Sequence, residues 1–138
     1  MTTEMPSAFT WTVRVYYEDT DAGGIVFYAN YLKFFERART EWLRAAGVSQ
    51  QDLLDQDGAI FVVKSTSVDY HAPARLDDVL NLTLSIEKLG RASVSFVQQA
   101  WCGDTLLTSA NVKVGCVDAA TLRPRSLPDA TAAKMRAA

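Results

Sequence analysis

The chain is 138 residues long, 49% hydrophobic and 22% charged, an ordinary globular composition in a length sufficient for one domain with a buried core. Its formal net charge of -2 excludes nucleic-acid binding driven by bulk electrostatics. No apolar run approaches the roughly 18 residues that a membrane-spanning helix needs.

In chain order, the opening run "MTTEMPSAFTW" has neither the basic start nor the apolar core of a signal peptide, so a cytoplasmic location is expected. The next run, "TWTVRVYYE", sets Trp11, Val13, Val15 and Tyr17 against Thr12, Arg14, Tyr16 and Glu18, and a period of two predicts a half-buried strand. Asp19, Asp21, Gly23 and Gly24 follow. Beyond them Tyr28, Tyr31, Leu32, Phe35, Trp42, Leu43 and Ala46 recur at three- and four-residue steps, which predicts a long helix with one apolar stripe. Lys33, Arg37, Thr40, Glu41 and Arg44 fall on its other face. Gly47 stops this helix, and Ser49 caps a short second one running to about Asp55.

Strands are predicted for "AIFVVKSTSVDY", "VLNLTLSIEKL", "RASVSFVQQAW" and "TLLTSANVKVGCV", with turn signals at Gly90 and at Gly103-Asp104. The segment "LPDATAAKMRAA" reads as a short helix or a frayed tail. Short turns between the four longer strands predict antiparallel neighbours. One long helix on the concave face of a curved antiparallel sheet makes the fold class α+β, with a core over about 10–118 and a tail over 119–138.

Within the helical stripe Arg39 is out of place. A buried guanidinium needs a partner: Glu36, three residues earlier, is the nearest one in sequence, and a residue across a subunit boundary would serve equally; the alternative is a snorkelling arginine whose head reaches water. Cys102 and Cys116 are expected to be free thiols, mostly buried. The only histidine, His71, sits in the proline-containing run "DYHAPAR", where a solvated or capping role is expected. Histidine–cysteine metal spacing and phosphate-cradling glycine motifs are absent, so no metal site is expected. Chemistry here rests on carboxylates, tyrosines or backbone dipoles. A carboxylate delivered to the start of a helix either caps it or does chemistry there.

The run "VRVYYEDTDAGGIVFYANYLKFFERARTEWLR" resembles the 4-hydroxybenzoyl-CoA thioesterase-like branch of the hotdog-fold superfamily, and within it the acyl-CoA thioesterases associated with the Tol-Pal system. The likeness continues through "VDYHAPARLDD" and "CVDAATLRPRSLP", and so covers nearly the whole chain. It implies a hotdog fold, a five-stranded antiparallel sheet wrapped around one central helix, assembled as a homodimer or homotetramer with active sites between subunits. It also implies hydrolysis of acyl-CoA, with coenzyme A as part of the substrate and no separate cofactor.

The family's catalytic carboxylate falls on Asp21, and the backbone N–H that holds the thioester oxygen falls on Tyr28. Many Tol-Pal-associated members carry histidine at the Tyr28 position, while the 4-hydroxybenzoyl-CoA enzymes carry tyrosine, as this chain does. A backbone role survives that difference, and a side-chain role for histidine does not.

Asp19 reads as a turn stabiliser. Gly23 and Gly24 supply either positive φ or room for a thioester near the backbone. Substrate contacts are expected from Gly24, Ile25, Val26, Phe27, Asn30 and Tyr31, joined by Val63, Lys64 and Ser65 on the first strand after the helices. Asn30 is equally a polar residue on the exposed side of the helix, and Val63 equally a core residue. Lys88, Arg91, Arg123 and Arg125 are candidates for the phosphates of coenzyme A, on the same chain or on a neighbour; the alternative is a set of solvated charges. Acyl carrier protein is an alternative carrier of the acyl group. Two competing functions are a hotdog hydratase, which the lack of a histidine in the motif disfavours, and a non-catalytic binding partner, which an intact Asp21 disfavours.

Overall fold

A computed structural model of the chain describes residues 9–138, so the expectation drawn from the opening run lies largely outside the described residues. The elements are β1 (Phe9–Arg14), a 3-10 turn (Tyr17–Asp19), α1 (Asn30–Ala45), α2 (Gln50–Asp57), β2 (Ala59–Tyr70), β3 (Val79–Leu89), β4 (Ser93–Cys102), β5 (Thr105–Asp118) and α3 (Asp129–Ala137). Among them no helix is long and apolar enough to cross a membrane.

The five strands form one sheet in the order β1-β3-β4-β5-β2, and every adjacent pair is antiparallel. The turns at Gly90 and Gly103 make the β3–β4 and β4–β5 hairpins, as their sequence signals predict. The expectation of short turns throughout is corrected at one place. β2 is an edge strand beside β5, so the segment between Tyr70 and Val79 crosses the sheet instead of reversing it. That crossover is pinned by hydrogen bonds to the other irregular part of the chain, Val26 N donating to Ala74 O at 2.9 Å and Val15 N to Asp78 O at 2.8 Å. Register shifts at Val63/Ser65, Ile86/Lys88 and Ala100/Trp101 mark bulges, which bend strands and increase sheet twist.

The face of α1 that packs on the sheet is Tyr31, Phe34, Phe35, Ala38, Trp42 and Leu43. Phe34 and Ala38 complete the stripe that the sequence pattern traced only in part, while Leu32 is largely exposed and Tyr28 precedes the helix. Leu80, Leu82 and Leu84 of β3 and Phe96 of β4 face this stripe in the core, and the Trp42 and Phe96 rings meet edge to face at 5.6 Å. β1 ends at Arg14 instead of running to Glu18, and Tyr17 is 83% exposed. The cause is local: the Asp19 carboxylate accepts the Tyr16 N–H at 2.8 Å, which winds the chain into a turn.

α1 stops at Gly47, whose φ of +87° suits glycine, and Ser49 caps α2 by accepting from Asp52 N. The tail is packed: Leu127, Ala132 and Met135 join the same core, which therefore continues past 118. Cys102 and Cys116 are both free, and burial raises the Cys116 thiol above its ordinary range.

Arg39 is paired, but with a different partner from the one expected. Its Nη1 donates to Gln98 Oε1 of β4 at 2.9 Å, and Gln98 Nε2 donates to Phe35 O at 3.0 Å. Glu36 instead accepts from Thr40 Oγ1 at 2.6 Å. Burial lowers the guanidinium pKa, and the Glu36 charge pulls it back in part. A partner 59 residues away could not be found from helical spacing alone.

Candidate active site

Between β1 and α1 the chain makes a narrow loop closed by an antiparallel bridge between Thr20 and Val26. Asp21 N donates to Ile25 O at 2.9 Å and Gly24 N to Asp21 O at 3.0 Å, a reversal that holds Gly24 at a φ of +79°. Gly23 serves differently. A Cβ there would stand 3.3 Å from Asp21 Oδ1, the oxygen that accepts the Gly23 N–H at 2.9 Å. Asp21 is exposed, with its carboxylate bound inside its own loop. The N-cap of α1 is Ala29, and no side chain caps the helix, so the capping alternative for Asp21 is discarded.

Asp19 has the opposite setting. It is buried, and its oxygens accept from Tyr16 N at 2.8 Å and from Asn30 Nδ2 at 2.9 Å. Its main-chain oxygen takes the Phe27 N–H at 3.0 Å. Asp19 thus fastens the loop to the first turn of α1. Asn30 is buried by the same contact, so its amide is turned inward to Asp19.

At the start of α1, Asn30 N donates to Phe27 O at 2.8 Å and Leu32 N to Ala29 O at 3.1 Å. The N–H groups of Tyr28 and Ala29 have no partner among the described residues. Free donors and the positive end of the helix dipole therefore coincide there. The Tyr28 side chain is 63% exposed, so the packing role expected from the stripe is corrected. Its ring lies against Phe27, centroids 4.8 Å apart, and edge-on to Tyr70 at 6.1 Å. Beneath them Tyr31 is buried, 5.8 Å from the Tyr70 ring, and burial raises its phenol pKa against the opposing effect of Thr108 and the Ala74 backbone. Ile25, Val26, Tyr28, Tyr31, Tyr70 and Pro73 are among the residues lining an open groove of about 290 Å³.

Tyr70 was not singled out by the sequence. It closes a predicted strand, and only the sheet order brings that strand end to α1, where its hydroxyl donates to Tyr28 O at 3.0 Å. His71 is exposed, with Nε2 at 2.6 Å from Ser109 Oγ.

Other expected site residues lie elsewhere on the chain. Val63, Lys64 and Ser65 sit mid-strand on β2, with Val63 52% exposed. Seven residues of extended strand separate Val63 from Tyr70, roughly 23 Å. Val63 helps line a smaller cavity, about 110 Å³, with Arg39, Leu43, Phe61 and Phe96, and no residue of it borders the Asp21 loop. Lys88 and Arg91 lie at the β3–β4 turn, and Arg123 and Arg125 on the chain that returns along the end of β5. Backbone bonds join these segments, Leu127 N to Arg91 O at 2.9 Å and Arg125 N to Cys116 O at 3.0 Å. Cys116 is eight residues along β5 from Thr108, which faces Tyr70, so this basic end is roughly 26 Å from the groove. A single chain does not bring the basic residues to Asp21.

The family model described as the thioesterase superfamily matches residues 23–109. An acyl-CoA thioester hydrolase, YbgC, of Escherichia coli is 48% identical over 129 residues, 93% of this chain and 96% of the relative. An acyl-CoA thioesterase, also YbgC, of Haemophilus influenzae is 44% identical over 124 residues, 90% and 91% of the two chains. The crystal structure of a probable thioesterase from Bartonella henselae superposes with a TM-score of 0.84 at 33% identity, covering 88% of this chain and 100% of the other.

Proposed function

This chain belongs to the thioesterase superfamily with the hotdog fold and is a thioester hydrolase, and from that premise we propose that it cleaves acyl-CoA with Asp21 and the N-terminus of α1. The observation that carries this reading is the contrast within the loop. Asp21 is exposed and uninvolved in capping, and beside its loop the Tyr28 N–H is unpartnered at the positive end of a helix of 16 residues.

The thioester carbonyl oxygen accepts from the Tyr28 N–H, which stabilises the negative charge that develops as the carbon becomes tetrahedral. Asp21 then acts by one of two routes. As a base it takes a proton from a water that attacks the carbon, and collapse of the intermediate releases the CoA thiolate and the free acid. As a nucleophile it forms a mixed anhydride and expels the thiolate, and water afterwards hydrolyses the anhydride. Both routes consume one water and return one acid and one thiol.

The rings of Tyr28, Tyr31 and Tyr70 around the groove favour flat or branched acyl groups that fill an aromatic slot. Assembly is part of the proposal. The basic residues Lys88, Arg91, Arg123 and Arg125 are remote from Asp21 on one chain, and reach the CoA phosphates from a neighbouring subunit of a dimer or tetramer. Steady-state hydrolysis across short, long, hydroxylated and aromatic acyl-CoAs, with light scattering at the assay concentration, tests both parts. No turnover on any member of the panel overturns the catalytic part, and an active monomer overturns the shared site.

A further inference from the structure

Two of the free N–H groups at the start of α1, those of Tyr28 and Ala29, are held by different means. The peptide that carries the Tyr28 N–H also carries the Phe27 carbonyl, and Asn30 N–H fixes that carbonyl at 2.8 Å. A tight local turn therefore aims the Tyr28 donor. The next peptide lacks such support. In a regular helix the Tyr28 carbonyl accepts from Leu32 N–H, but Leu32 donates to Ala29 O at 3.1 Å instead. The Tyr28 carbonyl is held from outside the helix, by the Tyr70 hydroxyl at 3.0 Å, 42 residues away in sequence. The Tyr70 ring, 47% exposed, is in turn packed at 6.1 Å from Tyr28 and 5.8 Å from Tyr31, which orients the hydroxyl toward that carbonyl.

In a planar trans peptide the C=O and N–H point in opposite directions. A bond that fixes the Tyr28 carbonyl on the Tyr70 side aims the Ala29 N–H away from it. Ala29 is already in helical conformation, φ -71° and ψ -17°, and consecutive N–H groups at a helix start converge on a single anion.

We propose that Tyr70 is a positioning residue for the hydrolysis, and that it aligns the Ala29 N–H as a second oxyanion donor beside the Tyr28 N–H. The proposal rests on the assignment of the α1 N-terminus as the oxyanion site. Its physical content is preorganisation: a peptide held before the reaction does not have to reorient as charge develops.

The test compares Tyr70→Phe and Tyr70→Leu with the parent on one acyl-CoA that the parent turns over. Tyr70→Phe keeps the ring and loses the hydroxyl. It lowers kcat about tenfold with KM within about twofold, less than the 10²–10³-fold typical of removing a donor outright. Tyr70→Leu is impaired at least as much. Parent-like kcat in Tyr70→Phe, with only Tyr70→Leu impaired, assigns Tyr70 to ring packing and overturns the proposal. Amide NMR separates the two levels, using a saturating acyl-CoA ketone in which methylene replaces the thioester sulfur. The Tyr28 and Ala29 resonances both shift in the parent, and the Ala29 shift shrinks in Tyr70→Phe. A shift of Tyr28 alone in the parent sinks the second donor and leaves the oxyanion site standing. If neither resonance moves, the oxyanion site itself has failed and Tyr70 loses its role with it.

Discussion

The buried carboxylate of Asp19 holds the side-chain amide of Asn30 at 2.9 Å, joining the loop after β1 to the first turn of α1. Asp21, two residues on, is exposed and binds only within its own turn. Identical side chains thus divide the work, one fixing the loop and the other facing solvent near the helix start.

Asp19→Asn leaves one acceptor oxygen for two donors, Tyr16 N–H and the Asn30 amide. Urea denaturation is expected to show a loss of about 1–3 kcal/mol, the cost of leaving a buried donor unsatisfied. Turnover per folded molecule stays within a few-fold of the parent. A variant as stable as the parent would show that Asp19 is not the fastener described.

Asp21→Asn keeps the shape of the side chain and removes its charge. Its kcat is expected to fall by roughly 10²–10⁴ while circular dichroism and the melting temperature stay near the parent values. Gly23→Ala reaches the same carboxylate indirectly, because the new methyl group stands 3.3 Å from Asp21 Oδ1 and must push it aside. About a tenfold lower kcat follows from that displacement. Retention of most turnover by Asp21→Asn on a good substrate refutes the mechanism.

Tyr28→Phe separates the main chain from the phenol. The ring is mostly exposed and the backbone N–H is unchanged by the substitution, so kcat is expected within a few-fold of the parent. Tyr28→His likewise remains active, with an altered acyl preference. A drop near 10²-fold in Tyr28→Phe would transfer the oxyanion role to the hydroxyl.

Gln98 is 0% exposed and serves Arg39 and the Phe35 carbonyl together. Gln98→Leu strands a half-buried guanidinium and removes the second hydrogen bond of the Phe35 carbonyl, which keeps its helical one, and is expected to cost about 3 kcal/mol. Removing the charge as well, in Arg39→Met with Gln98→Leu, restores part of that loss, so a double-mutant cycle shows coupling of about 1–2 kcal/mol. Glu36→Gln changes stability little, since Glu36 bonds Thr40. Additive single effects would rule out the Arg39–Gln98 pairing.

Periodicity by itself determined α1 and the long strands of this protein, because burying one face imposes a repeat that local spacing reveals. β2 and β3 match their predicted runs from Ala59 to Tyr70 and from Val79 to Leu89, and Ser49 caps α2 as its chemistry requires. The motif resemblance pointed to Asp21 and Tyr28, both in one continuous stretch. What lay between distant segments was decided only by the tertiary structure. Sheet order put β2 at the edge, and with it carried Tyr70 to the carbonyl of Tyr28 and left the basic turn and tail at the far end. The partner of Arg39 came from β4, and the inward amide of Asn30 from the burial of Asp19. A repeat reports which way a side chain faces along its own element. Which group it meets there depends on the packing of elements far apart in the chain, and spacing along the sequence carries no record of that.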